Sequence, residues 1–425
     1  MIKDASLYRV ATMLCASALI CVVARGEVGA AATAEWLCFH GPRRDNKSTE
    51  TGLLPRWPDG GPRLLWTATG LGKGYSSMSV ADGLIFTAGM VNKQTYVFAV
   101  GLDGKPKWRA LNGQSWETTM RHAIGYTGAR STPTYDDGRV YHLSEYGRLV
   151  ALQAASGKEV WHLDLFERFD ARVPKYGLAE SVLIDGDRLY CSPGGTKGFM
   201  VCLEKKTGKL VWANTDVPGS QAYGSPVLAE FGGFRQVISM SSEAVFGIDA
   251  ATGKQLWSVQ HGNKRDNNAT DPIFHKGHVY ASSGYGRGSI LVRLTPSQGG
   301  IEASRVWASR LLDNHHGGVV LVGDHLYGAG HEAKGWFCLD FMTGKPAWNA
   351  RGKGSLTCAD GMLYCLDETG TMSLVEAKPG AHRAASTFRL PRGRTGPYWA
   401  HPVVCGGRLY LRHADRLFAY DIQAK

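Results

Sequence analysis

The chain has 425 residues, a formal net charge of +11, and 44% hydrophobic against 20% charged residues. That is a globular composition with apolar material for a large core, and the length exceeds an ordinary single-core domain. The basic residues are scattered in pairs of the Arg43–Arg44 type, which reads as a soluble basic surface and excludes a nucleic-acid-binding stripe.

Lys3 and Arg9 precede an apolar run from Val10 to Ala24, and Ala32-Thr33-Ala34 forms a small-residue cleavage site. Residues 1–34 read as a secretory signal peptide, which places the mature chain in the periplasm or outside the cell. The run is about 15 residues, short of the roughly 20 that span a bilayer, so the chain is expected not to cross the membrane. Ile20 stands before Cys21 where a lipidation site wants a small residue. Cys15 and Cys21 fall in this segment and leave seven of the nine cysteines, an odd number that argues against a complete disulfide framework. Most of the seven, including Cys338 and Cys365, sit in apolar strand text and read as buried thiols. Cys191 and Cys202 flank a Gly-rich hairpin turn; whether they pair is a question of geometry.

Residues 35–62 are dense in Pro and Gly and read as an extended strap, with one strand, Arg63 to Trp66, at its end. Eight β-hairpins follow in series: SVADGLIFTAG, TPTYDDGRVYHLS, VLIDGDRLYCS, PVLAEFGGFRQVISMS, PIFHKGHVYASSG, VVLVGDHLYGAG, SLTCADGMLYCLD and PVVCGGRLYLRH. Each is an apolar strand, a turn of Asp and Gly type, and a β-branched or aromatic strand. A third strand follows each, and most copies add a fourth that ends in Trp, as in Val245–Trp257, VFGIDAATGKQLW. Its copies end at Trp108, Trp161, Trp212, Trp307 and Trp348. With Trp66 these tryptophans lie 41 to 53 residues apart, the period of propeller blades. The seventh copy has Phe388 in the Trp position. The eighth stops at Lys425 without a fourth strand, and Arg63–Trp66 is an orphan strand. Together they predict an all-β ring of eight four-stranded antiparallel blades over residues 63–425, closed by the N-terminal strand, because an open ring would expose strand edges. The regular spacing assigns Trp66, Trp108, Trp161, Trp212, Trp257, Trp307 and Trp348 to packing between blades.

The repeat AxDxxTGKxxW, best matched by IDAATGKQLW and ALQAASGKEVW, resembles the tryptophan-docking motif of pyrroloquinoline-quinone-type (PQQ-like) propellers of the quinoprotein alcohol dehydrogenase-like superfamily. The opening HGPRRDNKSTETGLLPRWPDGGPRLLW is similar to the leader of exported PQQ-like proteins of planctomycete-type bacteria. The resemblance covers residues 36–425 and implies an eight-bladed ring. It also implies a choice of activity, since one fold hosts many functions. Similar propellers include a scaffold of outer-membrane β-barrel assembly, a binding module without chemistry. The enzymes of the superfamily use PQQ with Ca²⁺, an Asp base and an adjacent-cysteine disulfide. This chain has no adjacent Cys pair and no Asp matched to the base.

In a four-stranded meander the first and third turns share one end of the ring. The second turn and the link to the next blade share the other. The variable text, Arg109–Arg130, His162–Ala179, Gly262–Thr270 and SSGYGRGS, falls at this second end, where binding residues concentrate. The candidate ligand-binding residues are those opening the innermost strands around the channel mouth: Arg130, Glu180, Tyr223, Asp271, His315, His316 and His401. Arg130 and the histidines suit an anionic or carbonyl-bearing ligand. No residue is assigned to catalysis and no transition-metal site is expected. Glu180 and Asp271 are the carboxylates that a hard cation would recruit. The leading expectation is an exported, monomeric propeller that binds a small ligand or a protein; the alternative is a PQQ-dependent dehydrogenase.

Overall fold

A computed structural model describes residues 34–263, 265, 267–391 and 396–424; residues 1–33, which carry the expected signal text, lie outside them. The described residues form eight four-stranded antiparallel sheets. Each hairpin turns where the sequence places residues that tolerate positive φ. Asp82 (φ 50°) and Gly83 (φ 73°) join Ser79–Ala81 to Leu84–Val91. Middle strands are buried on both faces because each blade is sandwiched between neighbours. Leu149, Val150, Ala151 and Leu152 are consecutive and all buried. Outer strands such as Glu159–Asp164 alternate between exposed and half-buried residues, the period-2 pattern of a sheet with one wet face.

The tryptophans explain the repeat length. Trp212 ends one blade, and its indole donates to the Ala250 carbonyl of the next (3.1 Å). There, Asp249 Oδ1 accepts bonds from the Thr252 amide and hydroxyl, and Gly253 sits at φ 78°. A Cβ on Gly253 would meet the Trp212 ring at 2.6 Å, so the TGK glycine is the seat for the preceding tryptophan. Trp66, Trp108, Trp161, Trp307 and Trp348 donate in the same way to the carbonyls of Leu102, Ala154, Lys205, Phe341 and Lys378. Trp257 departs from the pattern. The next blade replaces its short third turn with the longer hairpin Gly288–Ser297 and Gly300–Ser309. Trp257 stays buried, but its indole donates to Gln236 Oε1 of its own blade (2.7 Å).

The ring closes through the N-terminal strand. Arg63–Ala68 pairs antiparallel with Arg416–Asp421 and completes the eighth blade. Arg412 is fully buried at the seam between the eighth and first blades. All three guanidinium nitrogens are bonded, to the carbonyls of Leu71, Gly72, Ser76, Ala88 and Ala414 and to the Thr87 hydroxyl.

The segment before this strand runs through the ring. Trp36 bridges Val80 in the first blade, and the Leu37 carbonyl accepts from the Tyr135 amide in the second. Arg44 donates to the carbonyls of Ser181 and Val182, at the start of the third blade, and of Pro226, at the start of the fourth. His40 meets Asp271 of the fifth blade and His401 of the eighth. Lys47 donates to the Leu321 carbonyl in the sixth, and Asn46 and Ser48 pair with Leu356 and Cys358 in the seventh. Residues 36–48 thus touch the innermost strand, or its first residues, in every blade. They seal the channel toward the Asp–Gly turns.

All seven described cysteines are free and buried, so Cys191 and Cys202 do not pair. They lie on paired strands but out of register, Cys191 opposite Val201 and Cys202 opposite Tyr190. One short α-helix among the described residues, Leu165–Phe169, is capped by Asp164 in the variable text. No described helix is long and apolar enough to cross a membrane.

Candidate functional site

A cavity of about 380 Å³ opens at the end where the second turns and blade-to-blade links gather. The wall groups come from several links and turns, because eight innermost strands converge on one axis. Arg130 comes from the link into the second blade, Tyr223 from that into the fourth, and His315 and His316 from that into the sixth. Trp399 and His401 come from the link into the eighth. Second turns supply Tyr285, His331 and Glu368, and Phe39 of the sealing segment reaches the wall from below.

Arg130, Tyr223, His315, His316 and His401 are thus brought together as the sequence proposed; Glu180 and Asp271 are not. Side chains alternate along an extended strand, and here Ala179 and Ser225 face the cavity while Glu180 and Asp271 turn into the wall below. Glu180 accepts a bond from the Ser192 amide (3.0 Å), and burial pushes its carboxyl up to about 8. Asp271 caps the Ser225 amide (2.7 Å) and pairs with His40 (3.2 Å).

Arg130 donates through Nε to the Tyr176 carbonyl (2.8 Å) and through Nη2 to the Tyr126 carbonyl (2.7 Å). Its guanidinium lies over Trp116 and Tyr75, 5.1 and 5.7 Å from the ring centroids. Burial lowers its pKa, and Tyr75 and the buried Glu145 oppose that only electrostatically. Across the cavity, Glu368 accepts bonds from His316 Nε2 (2.8 Å) and the Trp399 indole (2.8 Å) and pairs with Lys353 (3.1 Å). Burial alone would raise the Glu368 carboxyl, but these neighbours outweigh it and hold it at about 2. Burial drives His315 and His401 well below the ordinary imidazole range and lowers His316 and His331. These rings are therefore neutral hydrogen-bonding groups near pH 7. The charged wall groups are Arg130, Arg265 and Lys353 against Glu368.

Sequence reasoning did not name Phe39, Tyr75, His331, Lys353 and Glu368, nor Tyr176 and Tyr285 within the stretches it placed at this end. The available signal was the second turn. Tyr285, His331 and Glu368 follow the second strands of the fifth, sixth and seventh hairpins, and the same topology that placed the links also places these turns at the mouth.

This arrangement does not fit a Ca²⁺-bound quinone. Calcium takes six to eight oxygen ligands, with carboxylates prominent. Here the only charged oxygen ligand on the wall, among the described residues, is Glu368, already shared by three donors, while three cations face the space. Glu180 and Asp271 are engaged below it. No described group of three or more His, Cys, Asp or Glu is placed to hold a metal ion.

Fold and site together define a propeller with one sealed face and one open face. Residues 103–350, more than half of the chain, match the family described as "Outer membrane protein assembly factor BamB", and the chain belongs to that family. It is 23% identical over 322 residues to the outer membrane protein assembly factor BamB of Shewanella oneidensis, covering 71% of this chain and 78% of that protein. It is 30% identical over 148 residues to the quinohemoprotein alcohol dehydrogenase ADH IIB of Pseudomonas putida, covering 31% of this chain and only 20% of the enzyme. The crystal structure of BamB from Moraxella catarrhalis superposes with a TM-score of 0.60 at 17% identity over 85% of this chain and 98% of that one. At that identity the likeness concerns the fold.

Proposed function

We propose that this chain is an exported scaffold that binds a partner in outer-membrane protein assembly and uses its PQQ-like repeats structurally. The observation that carries the reading is the family match over residues 103–350. The contrast between the ends of the ring supports it. One end is uniform and sealed by the chain itself; the other is variable, open and lined with groups that packing does not need. The dehydrogenase reading has weaker support. Its relatives share only short stretches, and the carboxylates that would hold calcium are engaged elsewhere.

The test is a deletion strain of the source bacterium. Loss of the protein lowers the amount of folded outer-membrane β-barrel proteins, read by heat-modifiable gel mobility, and the full chain restores it. Unchanged barrel levels overturn the assembly role. An alcohol-dependent dye-reduction assay with added quinone and Ca²⁺ gives no turnover; turnover would restore the enzyme reading. Export predicts a mature N-terminus near Glu35 by mass spectrometry, and a cytoplasmic chain that retains Met1 contradicts it.

A further inference from the structure

The guanidiniums of Arg412 and Arg44, which are buried, and of Arg130, which is half-buried, divide by what they touch. Arg412 has all three nitrogens bonded to the protein, and Arg44 spends both terminal nitrogens on carbonyls. Arg130 bonds the protein through Nε and Nη2 only. Among the described residues its Nη1 has no partner; the atom is not buried away from solvent and belongs to a residue on the cavity wall. Guanidinium presents five N–H donors in a fixed fork, so Arg130 is held by one side of the fork with the other side free. The aromatic rings of Trp116 and Tyr75 flank it, and no carboxylate among the described residues bonds to it. Glu145 acts on it electrostatically only: its Oε2 accepts from the Thr95 hydroxyl (2.6 Å), and its Oε1 is buried without a partner among the described residues.

The rest of the wall has the same bias. Lys353 and Arg265 add positive charge, and Glu368 is consumed by His316, Trp399 and Lys353. Tyr75, Tyr126, Tyr176 and Tyr285 supply ring surface between them. Among the described residues the cavity therefore offers donors and cations against aromatic walls, with no unshared carboxylate. The segment around Phe39 closes it below, and about 380 Å³ admits a molecule of one or two rings and not a folded domain.

We propose that this cavity binds a small organic anion, a carboxylate or a phosphate or sulfate ester on a ring-bearing body, with Arg130 Nη1 as the anchor for its charge. The proposal deepens the reading of the open end as a binding face and rests on it. A charge-assisted bond in a partly desolvated site is stronger than a neutral one, so the site discriminates by charge first and by shape second.

The test uses the full mature chain and 2-naphthoate as the probe, with neutral 2-naphthamide and inorganic phosphate beside it, read by calorimetry and tryptophan fluorescence. Naphthoate binds at least tenfold more tightly than naphthamide, and more tightly than phosphate, which lacks the ring. Arg130→Gln weakens naphthoate at least tenfold, Arg130→Lys less so, and Arg235→Gln, on an exposed ion pair with Asp185, leaves it unchanged. If Arg130→Gln does not fold, Lys353→Gln is the second variant and weakens naphthoate at least threefold. Equal binding of the amide, naphthoate binding untouched by whichever of the two variants folds, or no naphthoate binding at millimolar concentration overturns the proposal. Barrel levels in the deletion strain do not depend on this outcome, so a failed anion site and a failed scaffold role are told apart: Arg130→Gln chains that restore barrels but lose naphthoate separate the two.

Discussion

At the sealed end Arg44 spends its guanidinium on the carbonyls of Ser181, Val182 and Pro226, and at the closing seam Arg412 is surrounded by five carbonyls and a hydroxyl. At the open end Arg130 meets two carbonyls and keeps one nitrogen for the cavity. The residue type is the same, and neither environment supplies a bonded carboxylate. What differs is where the terminal nitrogens face. A buried cation whose terminal nitrogens are all taken by carbonyls, as in Arg44 and Arg412, rigidifies backbone that would otherwise carry unpaired acceptors. A cation left short of a partner is held ready for one. The end that eight blades and a threaded segment seal is thus a structural device, and the opposite end is where binding groups collect.

Several substitutions sharpen this contrast. Arg412→Ala strands the carbonyls of Leu71, Gly72, Ser76 and Ala88 at the seam; with each unpaired buried acceptor costing on the order of 1–3 kcal/mol, the total loss should be at least about 4 kcal/mol in urea unfolding. A loss under about 1 kcal/mol would show that the seam does not depend on it. Trp257→Ala should cost about 3–5 kcal/mol, as truncation of a buried aromatic does; a loss below about 1 kcal/mol would mean that its cluster with Ile238, Ile290 and Val292 contributes little.

The buried carboxyl beneath the mouth gives a pH dependence of defined sign. Glu180 is raised to about 8 by burial, so the folded state holds its proton more tightly than the unfolded state. Its contribution is fully present below the ordinary carboxylate range and is lost as pH rises toward 8. His142, buried and lowered to about 4, acts in the opposite sense and costs stability as pH falls below 6.5. Between pH 6.5 and 8.5 only the first effect operates, so the melting temperature should fall across that window, and Glu180→Gln should flatten the slope. A wild-type curve that rises there contradicts the assignment.

Much of the ring was legible in the sequence. The Asp–Gly turns, the TGK glycines and the tryptophan spacing are local signals, and each maps to one turn or one seat. The orphan strand at Arg63 and the missing strand at the eighth blade predicted the closure that pairs Arg63 with Asp421. Two things were not legible. Residues 36–48 have no period, because they take their hydrogen bonds from eight different blades and not from one partner strand. Glu180 lies one residue beyond the cavity-lining Ala179 and Asp271 two beyond Ala269, and strand parity at a link, where the chain is not yet regular, cannot be counted from the sequence. Conversely, Tyr285, His331 and Glu368 were not named though topology places second turns at the mouth.

The most direct measurement sets Arg44→Gln beside Arg130→Gln in one equilibrium unfolding experiment. Arg44→Gln should lose about 3 kcal/mol or more, since it leaves buried carbonyls at the start of the third and fourth blades unpaired. Arg130→Gln should lose less than about 1 kcal/mol, because Arg130 is only half-buried and the Tyr126 and Tyr176 carbonyls it leaves lie at the open mouth, where water can reach them. If Arg130→Gln is destabilised as much as Arg44→Gln, the open end is as structural as the sealed one and the distinction between the two faces is wrong.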